Sequence, residues 1–159
     1  MLQIASFFGV GFLPKAPGTW GSLFALPFAY LLCYLGFPVF VLATIIAFGL
    51  GWIATKKMQD LHGIEDPQWI VIDEVVGQWI ALMPAAYVMS TRDLPFLWPA
   101  YVVGFIAFRF FDIKKPWLVG WADRRGDALG VMLDDVIAGV FAAIVVMVSA
   151  GLYHGFMTA

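Results

Sequence analysis

PVFVLATIIAFGLGWIAT, residues 38–55, carries no charged side chain. At about 1.5 Å of rise per residue a helix of this length spans roughly 27 Å, close to the ~30 Å hydrocarbon core of a bilayer. A second long apolar run, residues 131–153, opens on the pair Asp134 and Asp135 and then continues VIAGVFAAIVVMVSAGLY. Three weaker candidates are residues 20–36, which contain Pro27, residues 75–91, which contain Pro84, and residues 94–111. Proline inside a span is tolerated where neighbouring groups satisfy the carbonyl it frees. Gly36 and Pro38 mark a tight turn between the first two runs. Residues 20–36 therefore either cross the bilayer or form a re-entrant hairpin with their neighbours. None of these runs alternates as a barrel strand does. In lipid only helices and closed barrels satisfy their backbone. The expected fold is all-α, a polytopic helical bundle of about five spans, some of them short or re-entrant.

Composition agrees. Apolar residues make up 62% of the 159 residues and charged residues 13%. A soluble domain carries roughly 45–50% and about 25%. The net charge of −2 and the absence of a basic tail exclude nucleic acid as the expected partner. Cys33 is the only cysteine, which rules out an internal disulfide or a multi-cysteine zinc site. Pro14, Pro17, Gly18 and Gly21 interrupt the N-terminal apolar run, where a cleavable signal needs an unbroken one. A single membrane-embedded domain, residues 1–159, is the simplest organisation.

Five spans put residues 1–19, 56–74 and 109–135 on one side. That side holds Lys15, Lys56, Lys57, Arg109, Lys114, Lys115, Arg124 and Arg125, against Arg92 on the other. The positive-inside rule turns the first side to the cytoplasm. The acids follow: Asp60, Glu65, Asp66, Asp73, Glu74, Asp112, Asp123, Asp127, Asp134 and Asp135 share it, and Asp93 lies opposite. Ordinary loop charge accounts for Lys56 and Lys57, and for Arg124 and Arg125. It accounts less well for acids pressed against apolar runs. Asp73 and Glu74 sit between WIVI and VVGQWIALM, Asp134 and Asp135 between LGVML and VIAGVFAAIVV, and Arg109 and Asp112 inside FIAFRFFDI. Ionised groups at membrane depth are costly and face a protein interior or a wet cavity. Three such clusters point to one shared cavity.

The acid pairs are candidate metal ligands and catalytic groups. Hard cations such as Mg²⁺ take oxygen ligands, commonly one or two carboxylates with several waters. Neighbours on a helix diverge by about 100°, so neither pair need give two direct ligands. Asp73 with Asp134 or Asp135 is expected to bind metal directly, and Glu74 through water or as a base. Arg109 and Asp112, spaced i,i+3, share a helix face. Lys115 precedes Pro116, where the helix should end. Arginine offers phosphate a bidentate fork and lysine a point charge. Arg109 and Lys115 are thus the expected phosphate-binding cations, with Lys15 and Thr19 as lesser candidates and Asp112 orienting Arg109 or adding a ligand. Thr19 or Ser22 can cap the helix that follows GVGFLPKAPGTWGS, residues 9–22. His62 reads as a polar-loop residue with the capacity to carry a proton. Cys33 reads as packing.

These residues also carry a resemblance. GVGFLPKAPGTWGS at 9–22, IVIDEVVGQWIAL at 70–82, FRFFDIKKPW at 108–117 and DRRGDALGVMLDDVIAG at 123–139 resemble, in order and spacing, the phosphatidylglycerophosphatase A family of bacterial membrane lipid phosphatases. The chain departs from that pattern at Leu118, where a second proline is usual, and in a shorter glycine turn that holds Asp127 and Ala128. The resemblance implies Mg²⁺-dependent removal of the terminal phosphate of phosphatidylglycerophosphate, to give phosphatidylglycerol and phosphate. It also implies a multi-pass protein of the bacterial inner membrane with its active site facing the cytoplasm. Two rival readings are an ion-coupled transporter and a non-catalytic membrane scaffold. A transporter should place its acids near mid-bilayer on broken helices, and a scaffold should tolerate charge substitution in all three clusters.

Overall fold

The computed structural model describes residues 1–63, 67–92 and 97–158. Glu65, Asp66 and Asp93, assigned to loops from the sequence, lie outside the described residues. Among the described residues seven α-helices run in order: α1 (Leu2–Ala5), α2 (Pro17–Tyr34), α3 (Phe37–His62), α4 (Ile72–Arg92), α5 (Trp98–Lys114), α6 (Leu118–Asp123) and α7 (Ala128–Thr158). A 3-10 turn, Val10–Phe12, lies between α1 and α2. No strand occurs among the described residues. The all-α expectation holds, and among the described residues a separate helix (α2, α3, α4, α5 or α7) covers most of each apolar run. Two of those helices, α3 and α7, are long and apolar enough to cross a membrane. The short helices α1 and α6 escape an apolar-run reading because neither has the length to produce one.

Chain punctuation sets the helix ends. Pro17 starts α2, where its missing amide costs nothing. Gly36, at φ +94°, makes the turn into α3, a conformation open mainly to glycine. The α2 helix runs unbroken past Pro27 to Tyr34, and the turn at Gly36 joins it to α3. At the end of α3, Gly63 is left-handed and its amide donates to the Gln59 carbonyl at 2.8 Å, as glycine does after a helix. Lys115 ends α5 at φ +46°, immediately before Pro116. His62 is not a loop residue: it occupies the last turn of α3, its ring nitrogen 2.9 Å from the Met58 carbonyl and its ring against Trp69.

The α4 helix is the axis of the bundle. It packs on α2, α3, α5 and most extensively on α7. Its residues Val75, Val76, Gly77, Ala81, Leu82, Ala85 and Ala86 are all buried, so small and branched side chains cover most of its circumference. The outward faces of α3 and α7 are instead large and apolar: Leu42, Ile45, Ile46 and Ile53 on one, Ile144, Met147 and Val148 on the other are exposed. An exposed apolar surface of that extent suits lipid rather than water. The N-terminal segment folds back on the turn that precedes α4. The Val71 amide donates to the Ala5 carbonyl at 2.9 Å, and Gly11 lies so close to the Trp69 carbonyl that no side chain would fit.

Candidate active site

Five chain segments end around one cavity of about 450 Å³. Pro17 and Gly18 come from the start of α2, Asp73 and Glu74 from the first turn of α4, and Arg109 and Asp112 from the last turns of α5. Lys115 follows at the α5 terminus, Asp123 closes α6, and Asp134 and Asp135 come from α7. All three charged clusters read from the sequence therefore meet in one place. The α7 pair lies about 9 Å along its helix, at roughly 1.5 Å per residue from Ala128, so the cavity belongs to one end of the bundle.

Asp73, Glu74 and Asp135 form the acidic centre. One carboxylate oxygen from each lies within 4.8 Å of the others, an arrangement that can hold a metal ion. Asp73 and Asp135 are buried, and Glu74 half-buried. Asp73 Oδ1 accepts the Glu74 amide at 3.1 Å. Asp135 Oδ1 and Glu74 Oε2 are buried with no hydrogen-bond partner. Two unit charges at such separation repel by about 3–4 kcal/mol at an effective dielectric near 20. Three together need a counter-charge, and a divalent cation supplies one while filling the orphaned oxygens. The donor set fits such an ion: all oxygen, buried and converging.

Asp134 departs from the trio. Its Oδ2 accepts the Lys115 ammonium at 2.8 Å and its Oδ1 accepts the Asp135 amide at 2.9 Å. The same ammonium also donates to Asp123. Burial works against the Lys115 charge, but these two carboxylates outweigh it and hold the amine protonated above the usual lysine range. Arg109 sits across the cavity. Its Nη1 lies 2.5 Å from Asp112 Oδ2 and 3.4 Å from Ser22 Oγ, and its buried Nε has no partner. Asp112 thus pairs with Arg109 across one helical turn.

Lys15 and Thr19 do not line the cavity; Pro17 and Gly18 stand there instead. Lys15 is exposed at a left-handed position, φ +63°. The Thr19 amide is spent on the Ala16 carbonyl at 3.0 Å. Neither Thr19 nor Ser22 caps α2, whose cap residue is Ala16 with no side-chain bond. Ser22 lies one turn inside, donating to the Gly18 carbonyl at 2.9 Å, with its oxygen turned to Arg109. The sequence reading passed over Ser22 and Asp123 as site residues. Both lie within the motifs quoted above, but nothing in their spacing pairs them with Arg109 or Lys115. At the start of α7, Asp127 Oδ1 accepts the Gly130 amide at 2.8 Å and its Oδ2 the Arg125 guanidinium at 2.8 Å. The Arg125 bond is the main cause of an Asp127 carboxyl held below the usual aspartate range.

Fold and cavity define a class: an all-α protein with membrane-length helices, whose buried acids face an arginine and a lysine across one pocket, the donor set for handling a phosphate ester. The chain belongs to the phosphatidylglycerophosphatase A family, whose model matches residues 3–150. It is similar to phosphatidylglycerophosphatase A of Escherichia coli K12, 37% identical over 142 residues covering 88% of this chain and 77% of that protein. The enzyme of the same name from Haemophilus influenzae is 38% identical over 146 residues, 90% of this chain and 84% of that one. A Bacteroides thetaiotaomicron protein, provisionally named a phosphatidylinositol-3-phosphatase, is 38% identical over 157 residues, 92% and 91% of the two chains. No solved structure gives a significant match.

Proposed function

We propose that this protein hydrolyses the terminal phosphate of phosphatidylglycerophosphate to phosphatidylglycerol and phosphate, with Mg²⁺ as its cation. The observation that carries this reading is the converging Asp73, Glu74 and Asp135 trio, which shares one cavity with Arg109 and Lys115. The family membership supports it. Asp73, Glu74 and Asp135 would hold the ion. Bound there, a divalent cation supplies Lewis-acid polarisation of a phosphate oxygen and a more acidic water. The chain's own residues do the rest. Arg109, oriented by Asp112 and Ser22, presents its guanidinium to the phosphate oxygens. Lys115 commits two of its three donors to Asp123 and Asp134, which leaves the third for a phosphate oxygen. Asp134 acts by holding Lys115, and Glu74 doubles as the acceptor for a proton from the attacking water. Lys15 and Thr19 have no part in this arrangement.

The setting follows from the same parts. The basic end of the bundle faces the cytoplasm of the inner membrane, five helices cross or enter the bilayer, and the phosphate group of the lipid reaches the cavity at the headgroup level. Acids gathered at helix ends on one face disfavour a transporter, whose acids belong near mid-bilayer. The test is phosphate release by the purified protein in detergent, with Mg²⁺ and with EDTA. Release from phosphatidylglycerophosphate that EDTA abolishes is expected. No release with Mg²⁺ present would end the proposal, and faster release from phosphatidylinositol 3-phosphate would reassign the substrate.

A further inference from the structure

The two acid-bearing helices touch where neither has a side chain. Gly77 lies four residues after Asp73 on α4, and Gly139 four residues after Asp135 on α7. Four residues are about one helical turn, so each glycine sits directly beneath an acid of the trio. A Cβ on Gly77 would lie 2.6 Å from the Asp135 carbonyl oxygen and 2.7 Å from Cζ of Phe108. A Cβ on Gly139 would collide with the Gly77 carbonyl oxygen and lie 3.1 Å from its carbon and 3.1 Å from Ile80 Cβ. Two of these obstacles are backbone, and Phe108 is fully buried, so little can give way. The obstructing carbonyl belongs to Asp135 itself. Any group inserted at Gly77 therefore presses on the main chain that carries an acid.

A second, independent observation points to a ligand above this crossing: the buried, unpartnered Asp135 Oδ1 and Glu74 Oε2. We infer that Gly77 and Gly139 are positioning residues, which set the spacing between the α4 and α7 carboxylates to the size of a small divalent cation. The inference rests on the cation-binding reading above. Mg²⁺ demands near-octahedral oxygens at about 2.0–2.1 Å, whereas Ca²⁺ accepts flexible shells at about 2.3–2.6 Å. A wider α4–α7 spacing should thus penalise Mg²⁺ more than Ca²⁺, a discrimination that general loss of stability would not produce.

The experiment measures Mg²⁺ and Ca²⁺ binding directly, by calorimetry on purified protein, with no substrate present. Gly77→Ala and Gly139→Ala should each raise the Mg²⁺ dissociation constant about tenfold or more and the Ca²⁺ constant less, shifting their ratio. Gly104→Ala is the control. Its Cβ would lie 3.0 Å from the flexible Leu82 Cδ2, within the same bundle but away from the acids, and it should leave the ratio unchanged. If Gly77→Ala does not fold, Gly77→Ala combined with Phe108→Leu carries the test: leucine lacks the ring carbons in the way and leaves the Asp135 carbonyl as the obstacle, so the Mg²⁺ to Ca²⁺ ratio should shift as in the single variant. Folded glycine variants with an unaltered Mg²⁺ to Ca²⁺ ratio overturn the inference alone. Wild-type protein that binds neither ion overturns the cation reading beneath it.

Discussion

The Lys115 ammonium lies 2.8 Å from Asp134 Oδ2, while the adjacent Asp135 points its carboxylate to Asp73 and Glu74. Two consecutive aspartates thus serve two different centres, one cationic and one acidic.

That division separates their variants. Asp135→Asn should weaken cation binding and lower phosphate release by about a hundredfold or more, as expected for loss of a group acting at the reacting centre. Asp134→Asn should act mainly through Lys115, raising KM for the lipid with a cation requirement within a few-fold of wild type. Steady-state kinetics at several Mg²⁺ concentrations distinguish the two. Identical cation requirements in both variants would contradict the division.

Removing the cation should expose the repulsion within the trio. EDTA-treated wild-type protein should unfold at a lower temperature than the Mg²⁺-bound form, because the ion binds only the folded state. Asp73→Asn should be inactive yet unfold at a higher temperature than wild type in EDTA, since one of three crowded charges is gone. Thermal unfolding of both proteins in EDTA and in Mg²⁺ checks this, and a destabilised Asp73→Asn in EDTA would speak against a repulsive centre.

Gly18 meets the site from α2. A Cβ there would fall on the Glu74 carboxylate and within 3.2 Å of Arg109 Nη1. Gly18→Ala should reduce activity at least about tenfold with little change in the unfolding temperature, because the Glu74 side chain yields before the fold does. Gly49→Ala on α3 is the comparison: nothing stands within 4 Å of its added carbon. It should keep full activity and gain slightly in stability, as alanine does over glycine inside a helix. Equal activities of the two variants would remove Gly18 from the site.

Arg109 is expected to act through its fork. Arg109→Lys retains charge but cannot hold Asp112 and a phosphate in parallel. It should lose most of kcat/KM, about tenfold or more, and Arg109→Ala should lose more. A lysine variant with wild-type kcat/KM would reduce Arg109 to a plain point charge.

Asp127 should matter to stability and not to chemistry. Its carboxyl is held below the usual aspartate range, chiefly by Arg125 and also by the Gly130 amide. Its contribution is therefore complete above the ordinary aspartate pKa of about 3.9 and is lost as pH falls through its lower folded value. Asp127→Ala should lower the unfolding temperature by a constant few degrees between pH 5 and 8 (roughly the scale of one helix cap). The gap should narrow below about pH 4, with phosphate release at pH 7 near wild type. A pH-independent gap would assign the effect to something other than the carboxylate.

The sequence alone determined the all-α class, the apolar runs and several helix ends, because those depend on local properties. A long uncharged run has few ways to satisfy its backbone in lipid, and Gly36 or Pro116 restricts the chain wherever it lies. It also pointed to Asp73, Glu74, Arg109, Asp112, Lys115, Asp134 and Asp135, which line one cavity, since ionised groups beside apolar runs are costly without partners. Only the tertiary structure decided how those residues divide. Adjacent helical side chains diverge by about 100°, and the rotation of α7 against α4 chooses which aspartate joins Glu74 and which turns to Lys115. That rotation follows from the close packing of Gly77 against the Asp135 carbonyl, a contact between residues 58 positions apart that neither helix specifies by itself. The same cause hid the Ser22 contact with Arg109 and left Lys15 outside the cavity: a side chain's neighbours across a bundle are set by how whole helices pack, and spacing along one helix carries no record of it.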